Sequence, residues 1–148
     1  MGFLFELSAG KQQQAAYNYN SDINERNAQV AEQQAEQLVF QEEQNIVDFR
    51  KQFDDLQAAT SQAFRYNGWI ANEGTPLKVA LANAQEADEE IATRRYNAKV
   101  GREELKEQGT QERMQGTLNR MYGKAARTAG KARAVNSLIQ TASAFASV

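Results

Sequence analysis

Asn67-Gly68-Trp69-Ile70-Ala71-Asn72-Glu73-Gly74-Thr75-Pro76-Leu77 is the one stretch of the 148 residues that reads as a clear chain reversal. Asn-Gly supplies residues that tolerate positive φ, and Gly74 supplies another. Thr75 followed by Pro76 is a helix start: the hydroxyl can cap free N–H groups, and proline suits the first helical position, where its missing N–H costs nothing. Pro76 is also the only proline, so little else interrupts the flanking segments. With Asn67, Gly68, Trp69, Gly74, Thr75, Pro76 and Leu77 as turn-defining positions, the expected organisation is an apolar segment over 1–10, a first long helix over 11–66, a connector over 67–75 and a second long helix over 76–148. The fold class is all-α, a long antiparallel helical hairpin with coiled-coil-like packing that assembles with neighbouring subunits.

Upstream of the turn, residues 11–64 are rich in Ala, Gln and Glu and contain neither Gly nor Pro, which favours helix by propensity. Ile46, Phe49, Phe53 and Leu56 step by three and four as a packing seam does, continued weakly by Thr60 and Ala63. Further upstream the stripe thins to Ile23, Val30, Leu38 and Val39. The Gln- and Asn-rich start, with Asn18, Asn20, Asn24 and Asn27, is polar enough that it should fray unless partners hold it. Downstream, Leu77, Leu81, Ala84, Ile91, Ala98 and Leu105 keep approximate three/four spacing, although Asp88, Arg95 and Arg102 share that stripe.

From Met114 the pattern tightens into superimposed stripes. Met114, Leu118, Met121, Ala125, Thr128, Ala132, Val135, Ile139, Ala142 and Ala146 alternate four and three without a break, an assembly seam led by Met114, Leu118, Met121, Val135 and Ile139. Gly109, Gly116, Gly123 and Gly130 repeat every seven residues, continued by Ser137 and Ala144; Lys106, Arg113, Arg120 and Arg127 do the same. The glycines have two readings. Each costs about 1 kcal/mol relative to Ala and so weakens a loosely packed helix; or a side-chain-free register lets another helix approach closely. The basic stripe likewise has two: a solvated face paired with the acidic first helix, or contact with phosphate or lipid.

Composition removes most chemistry. There is no Cys and no His, which excludes disulfides, the usual zinc sites, thiol nucleophiles, Ser-His triads and histidine acid/base catalysis. Asp54-Asp55 and Asp88-Glu89-Glu90 are sequence neighbours, point to different sides of a helix and form no general acid/base pair by themselves. Calcium loops, phosphate-binding Gly-Lys loops and dinucleotide fingerprints are missing. No enzyme activity, cofactor, metal or small-molecule substrate is therefore expected. The net charge of −2 conceals a polarity: residues 1–60 sum to −6, 61–100 to zero and 101–148 to +4, with no acidic residue after Glu112. The N-terminal residues lack a secretory-signal pattern, Glu6 stands where myristoylation asks for Ser or Thr, and no run of about 18 apolar residues exists. With few partners for its stripes within one chain, the protein should draw much of its stability from neighbouring subunits, and an isolated chain should be only partly ordered.

Residues 64–77, Phe64-Arg65-Tyr66-Asn67-Gly68-Trp69-Ile70-Ala71-Asn72-Glu73-Gly74-Thr75-Pro76-Leu77, followed by Asn83-Ala84-Gln85-Glu86-Ala87-Asp88-Glu89-Glu90-Ile91-Ala92-Thr93-Arg94-Arg95-Tyr96-Asn97-Ala98, carry a resemblance. They look like the small internal virion (core/ejection) proteins of short-tailed phages, in which an aromatic-Gly segment leads into Gly-[Ser/Thr]-Pro-Leu, a carboxylate-rich patch and an Ile-x-x-x-Arg-Tyr/Asn-Asn-Ala ending. It covers about 40 residues, and Gly68, Gly74, Thr75, Pro76 and Leu77 carry over as fold-defining positions. The resemblance implies a structural protein of the capsid interior on the portal side, packed with the portal and larger internal core proteins and with copies of itself. It further implies release at infection to help form a DNA-ejection conduit through the host envelope, with the host membrane as a further partner. A static head or tail adaptor, or capsid-bound coiled-coil component, and a basic-tailed DNA-packaging protein making non-specific DNA contact are the alternatives.

Overall fold

The computed structural model describes residues 2–70 and 73–146. Helix α1 runs Gly2–Tyr66 and helix α2 runs Gly74–Ala146, with no strand among the described residues. The protein is an all-α antiparallel helical hairpin. Ala71 and Asn72 of the expected connector, and Ser147 and Val148 of the expected second helix, lie outside the described residues, as do the side chains of Ala144 and Ala146. One boundary moves: the apolar segment expected to precede the first helix is its opening turns. Phe3, Leu7 and Gly10 continue the inward four/three register of α1, half-buried, half-buried and buried, and that register extends the helix to Gly2.

The chain divides into two compact units, 33–105 and the paired segments Met1–Glu32 and Lys106–Val148. In the unit 33–105, α1 ends in a Schellman motif. Gly68, at φ +81°, takes the left-handed position that an L side chain resists. The Trp69 N–H donates to Phe64 O at 3.0 Å and the Gly68 N–H to Arg65 O at 3.1 Å, satisfying carbonyls that the helix end leaves open. Asn67 adds its side-chain amide, donating to Ala63 O at 2.9 Å. Gly74 takes φ +60° at the entry to α2, and Pro76 is buried just behind it. The hydroxyl of Thr75 makes no hydrogen bond among the described residues, so the cap foreseen for it is not formed; the turn at Gly74 performs the entry instead.

The core of this unit is Ile46 and Ile91, with Ala35 and Ala87 also buried and Phe49 and Phe53 half-buried. Leu56, read as the next step of the seam, is 64% exposed, because the inward line continues through Gln57 and Thr60. Leu77 and Leu81 likewise face outward, while Ala84, Ile91, Ala98 and Leu105 line the inside with Gly101. The arginine guanidinium of Arg94 sits 5.2 Å above the Phe49 ring, a cation over an aromatic face.

In the other unit the inward line of α2 is Gly109, Glu112, Gly116, Asn119, Gly123, Ala126, Gly130, Ala134 and Ser137. α1 answers with Gly10, Gln14, Tyr17, Ser21, Asn24, Ala28 and Ala31. A methyl placed on Gly109 would meet Ala28 O at 3.2 Å, on Gly116 Ser21 O at 3.2 Å, and on Gly123 Gln14 O at 3.4 Å. Each seven-residue step up α2 is matched by a seven-residue step down α1, the signature of a regular antiparallel coiled-coil register. At Gly130 the same methyl would lie 2.9 Å from the Gly10 Cα, so two backbones touch there with nothing between them. The polar start of α1, expected to fray without partners, is helical and has the glycine face of α2 as its partner.

Candidate functional site

The three stripes of the second helix fall on three different surfaces. The glycine register is the inward face just described: Gly109, Gly116, Gly123 and Gly130 are all buried, and the close-approach reading is the one the geometry adopts. The other helix is the chain's own α1. Small residues on both sides, with Ala28, Ala31 and Ala134 buried beside them, bring the axes close enough that no larger side chain would fit.

The basic stripe lies along the edge of that interface. Arg113 donates through Nη1 and Nη2 to both carboxylate oxygens of Glu32, the second at 2.9 Å, and through Nε to Glu25 at 3.3 Å. Glu25 and Glu32 are seven residues apart, so one guanidinium spans about two turns of the facing helix. Hydrogen bonding from Arg113 holds the Glu32 carboxyl below the usual carboxylate range, and the bonds from Glu32 and then Glu25 push the guanidinium up. Arg120 reaches Asp22 at 3.9 Å, and Lys106 adds to the field that lowers Glu32. In the unit 33–105 the same device recurs: Arg95 donates to both oxygens of Glu43, at 2.9 and 3.1 Å, and its hydrogen bonding depresses that carboxyl. For Arg113 and Arg120 the pairing with the acidic first helix is therefore realised. Arg127, at the end of the stripe, is exposed and makes no ion pair among the described residues, as is true of Lys124, Lys131 and Arg133.

Between these edges sits a polar cluster that sequence reading passed over. Asn24 donates through Nδ2 to Glu112 at 2.8 Å and to Gln115 at 3.4 Å, and its Oδ1 accepts from Asn119 at 3.4 Å. Asn24 occupies the same inward register as Ala28 and Ser21, and that position was the available signal: an Asn at one core position of a coiled coil fixes the pairing register. Tyr17 and Tyr122 add a tilted ring pair with centroids 6.0 Å apart.

The Met/Leu seam faces away from α1. Met114 is 64% exposed, Leu118 48%, Met121 60%, Val135 52% and Ile139 61%. Within this unit, then, α2 is amphipathic twice over: a small-residue face spent on the hairpin and a large-residue face left without a partner. At the turn, Tyr66, Trp69 and Ile70 are exposed as well. Among the described residues no group of carboxylates is placed to hold a metal ion, and no helix is long and apolar enough to cross a membrane. Asp54-Asp55 and Asp88-Glu89-Glu90 are exposed.

What the fold and its surfaces define is a class, an antiparallel helical hairpin that keeps a heptad-regular apolar face outside its own packing. No protein-family model matches the chain, and neither a curated protein nor a solved structure matches it.

Proposed function

We propose that this chain is a structural internal virion protein of a short-tailed phage, part of a portal-proximal core that is released at infection and helps form the DNA-ejection conduit through the host envelope. The assembly role is carried by one observation: the exposed seam led by Met114, Leu118 and Met121 is heptad-regular on a helix whose other face is already used. The phage placement rests on the resemblance of residues 64–77 and 83–98. The chain's chemistry suits passage through a narrow portal. It has no Cys to cross-link it, and in the unit of Met1–Glu32 and Lys106–Val148 the buried residues are Ala, Gly and Ser, which bury little apolar area and are cheap to separate and re-form.

Mass spectrometry of full and emptied particles tests the proposal. The chain should be present in full particles and lost from those that have ejected their DNA. Retention after ejection would make it a static head or tail adaptor or capsid-bound component. Lys124, Arg127, Lys131 and Arg133, which make no ion pair among the described residues and follow the last acidic residue, favour a second reading, a DNA-packaging protein. Duplex binding whose affinity falls steeply and linearly with the logarithm of salt concentration would support that reading, because phosphate contacts release counterions.

A further inference from the structure

The two compact units carry opposite charge. The unit of Met1–Glu32 and Lys106–Val148 holds nine basic and six acidic side chains, a net of +3, and the unit 33–105 holds eight basic and thirteen acidic, a net of −5. On the positive unit the apolar seam is edged by Lys124 and Lys131, each adjoining a seam alanine, and neither is ion-paired among the described residues. On the negative unit α1 presents an outward line of Glu36, Phe40, Val47 and Asp54, beside which the exposed Lys51 is paired with Asp48 at 3.7 Å. Phe40 is 67% and Val47 44% exposed, the carboxylates of Glu36 and Asp54 are exposed, and neither is ion-paired among the described residues. Phe40, Val47 and Asp54 are each seven apart, the repeat of the seam itself.

We propose that the lysine-edged seam of α2 docks on the Glu36/Phe40/Val47/Asp54 line of a second copy of this chain. The apolar pair Phe40 and Val47 shares the seven-residue period of the seam, and flanking charges of opposite sign set which faces pair. Seam-to-seam pairing of antiparallel helices is disfavoured by the same charges, since it sets the lysine edges of both copies against each other. Used once per copy, a contact between two different faces is heterologous and continues into a closed ring or an open filament; used reciprocally about a two-fold axis, it closes a dimer. The inference deepens the proposed assembly role and rests on it, but it concerns the purified chain alone, so its outcome is independent of where the protein sits in a particle.

Sedimentation velocity of the full chain over a range of concentrations, at low salt and at about 1 M salt where the screening length falls to about 3 Å, reads the contact. The variants are Lys124→Glu with Lys131→Glu on the seam, and Glu36→Lys with Asp54→Lys on the acidic line, with circular dichroism checking that helicity is kept. The wild-type chain should self-associate as concentration rises, and salt should weaken the association. Either variant pair alone should associate at least about tenfold more weakly, and an equimolar mixture of the two should recover association, because each reversed face then meets a complementary one. Three results would overturn the proposal. The first is a wild-type chain that stays monomeric at every concentration, including one that instead binds anionic vesicles through the seam. The second is a dimer disrupted by the seam variants and untouched by the acidic ones. The third is a mixture that fails to recover.

Discussion

Replacing glycine by alanine inside a helix normally stabilises it by about 1 kcal/mol, because the backbone loses freedom in the unfolded chain and the helix gains a good former. Gly130→Ala should do the reverse. The new methyl would stand 2.9 Å from the Gly10 Cα and 3.2 Å from Glu6 O, both backbone atoms that no rotamer change can move. Overpacking of this kind costs about 1–3 kcal/mol, so the net effect is a loss of up to about 2 kcal/mol after the propensity gain is set against it. Gly101→Ala is the internal control. Its methyl would lie 2.9 Å from Leu38 Cδ2, the tip of a flexible side chain, so a rotamer adjustment of about 0.5–1 kcal/mol relieves the clash and the net change is near zero or slightly stabilising. Gly10→Ala meets the same backbone contact from the other side, at 3.1 Å from the Gly130 Cα. The pair Gly10→Ala/Gly130→Ala should therefore cost more than the two changes added separately. Chemical denaturation followed by circular dichroism at fixed protein concentration gives the global numbers, and amide exchange resolved to each unit assigns them. If Gly130→Ala stabilises as much as Gly101→Ala, and the double variant is additive, the backbones at Gly10 and Gly130 do not touch and the close-approach reading of the glycine register is wrong.

Other perturbations test other parts of the fold. Glu32 and Glu43 are held below the ordinary value of 4.5 by Arg113 and Arg95, so the folded chain binds fewer protons than the unfolded one. The stability they contribute is complete above that value and is lost as pH falls through the lowered folded values. With no His or Cys in the chain, the melting temperature should be flat between about pH 6 and 8, drop on acidification below 4.5, and drop less steeply in Arg113→Met, as a pH series of thermal melts would show. Gly68→Ala places an L side chain at φ +81° in open space, so its cost is conformational, about 1 kcal/mol, and Gly68→Asn should lose less in denaturant unfolding; equal losses would mean that Gly68 is not in the left-handed region. Ile46→Ala removes the largest fully buried side chain and should cost about 2–4 kcal/mol by the same measurement, whereas Leu56→Ala, its exposed neighbour in the seam read from sequence, should cost under about 1 kcal/mol.

The turn was legible because its residues have few other uses: Gly68 is needed where φ is positive, and Pro76 opens a helix more cheaply than it sits inside one. The inward face of α2 was harder, for a physical reason. Apolar periodicity marks Met114, Leu118 and Met121, and large apolar residues ordinarily point at the nearest partner. In this hairpin the nearest partner takes the glycines, because backbone contact through Gly109, Gly116, Gly123 and Gly130 excludes side chains of that size. Leu56 and Leu81 fall outside for a different reason: in the unit 33–105 the inward line runs through Ile46, Phe49, Phe53, Gln57 and Thr60 on α1 and Ala84, Ala87 and Ile91 on α2, so register sets it and hydrophobicity alone does not track it. Asn24 was passed over for another cause. Its register with Ser21 and Ala28 is a signal only once the inward face of α1 is known, since Asn18, Asn20 and Asn27 surround it in sequence; its partners Glu112 and Asn119 then explain it.

This reversal of faces bears on how the protein is held together. Burial of apolar surface stabilises by about 25 cal/mol per Å², so a face of Ala, Gly and Ser contributes little per residue, while each Met, Leu or Ile that leaves water contributes about 1.5–3 kcal/mol. Among the large apolar side chains of the unit of Met1–Glu32 and Lys106–Val148 are Met114, Leu118, Met121, Val135 and Ile139, and the hairpin leaves all five at least 48% exposed. Folding of one chain thus fixes register, through Asn24, Arg113 and the glycine contacts, more than it gains hydrophobic stabilisation. Whatever covers the seam adds the larger burial, and anything that binds the folded state alone raises its stability by mass action. The melting temperature of the pure chain should accordingly rise with its own concentration. In Leu118→Asn that dependence should flatten while the melting temperature at high dilution stays within about the range of an ordinary surface substitution. A concentration-independent melt in the wild-type chain would mean that the outer seam is not where the missing stability comes from.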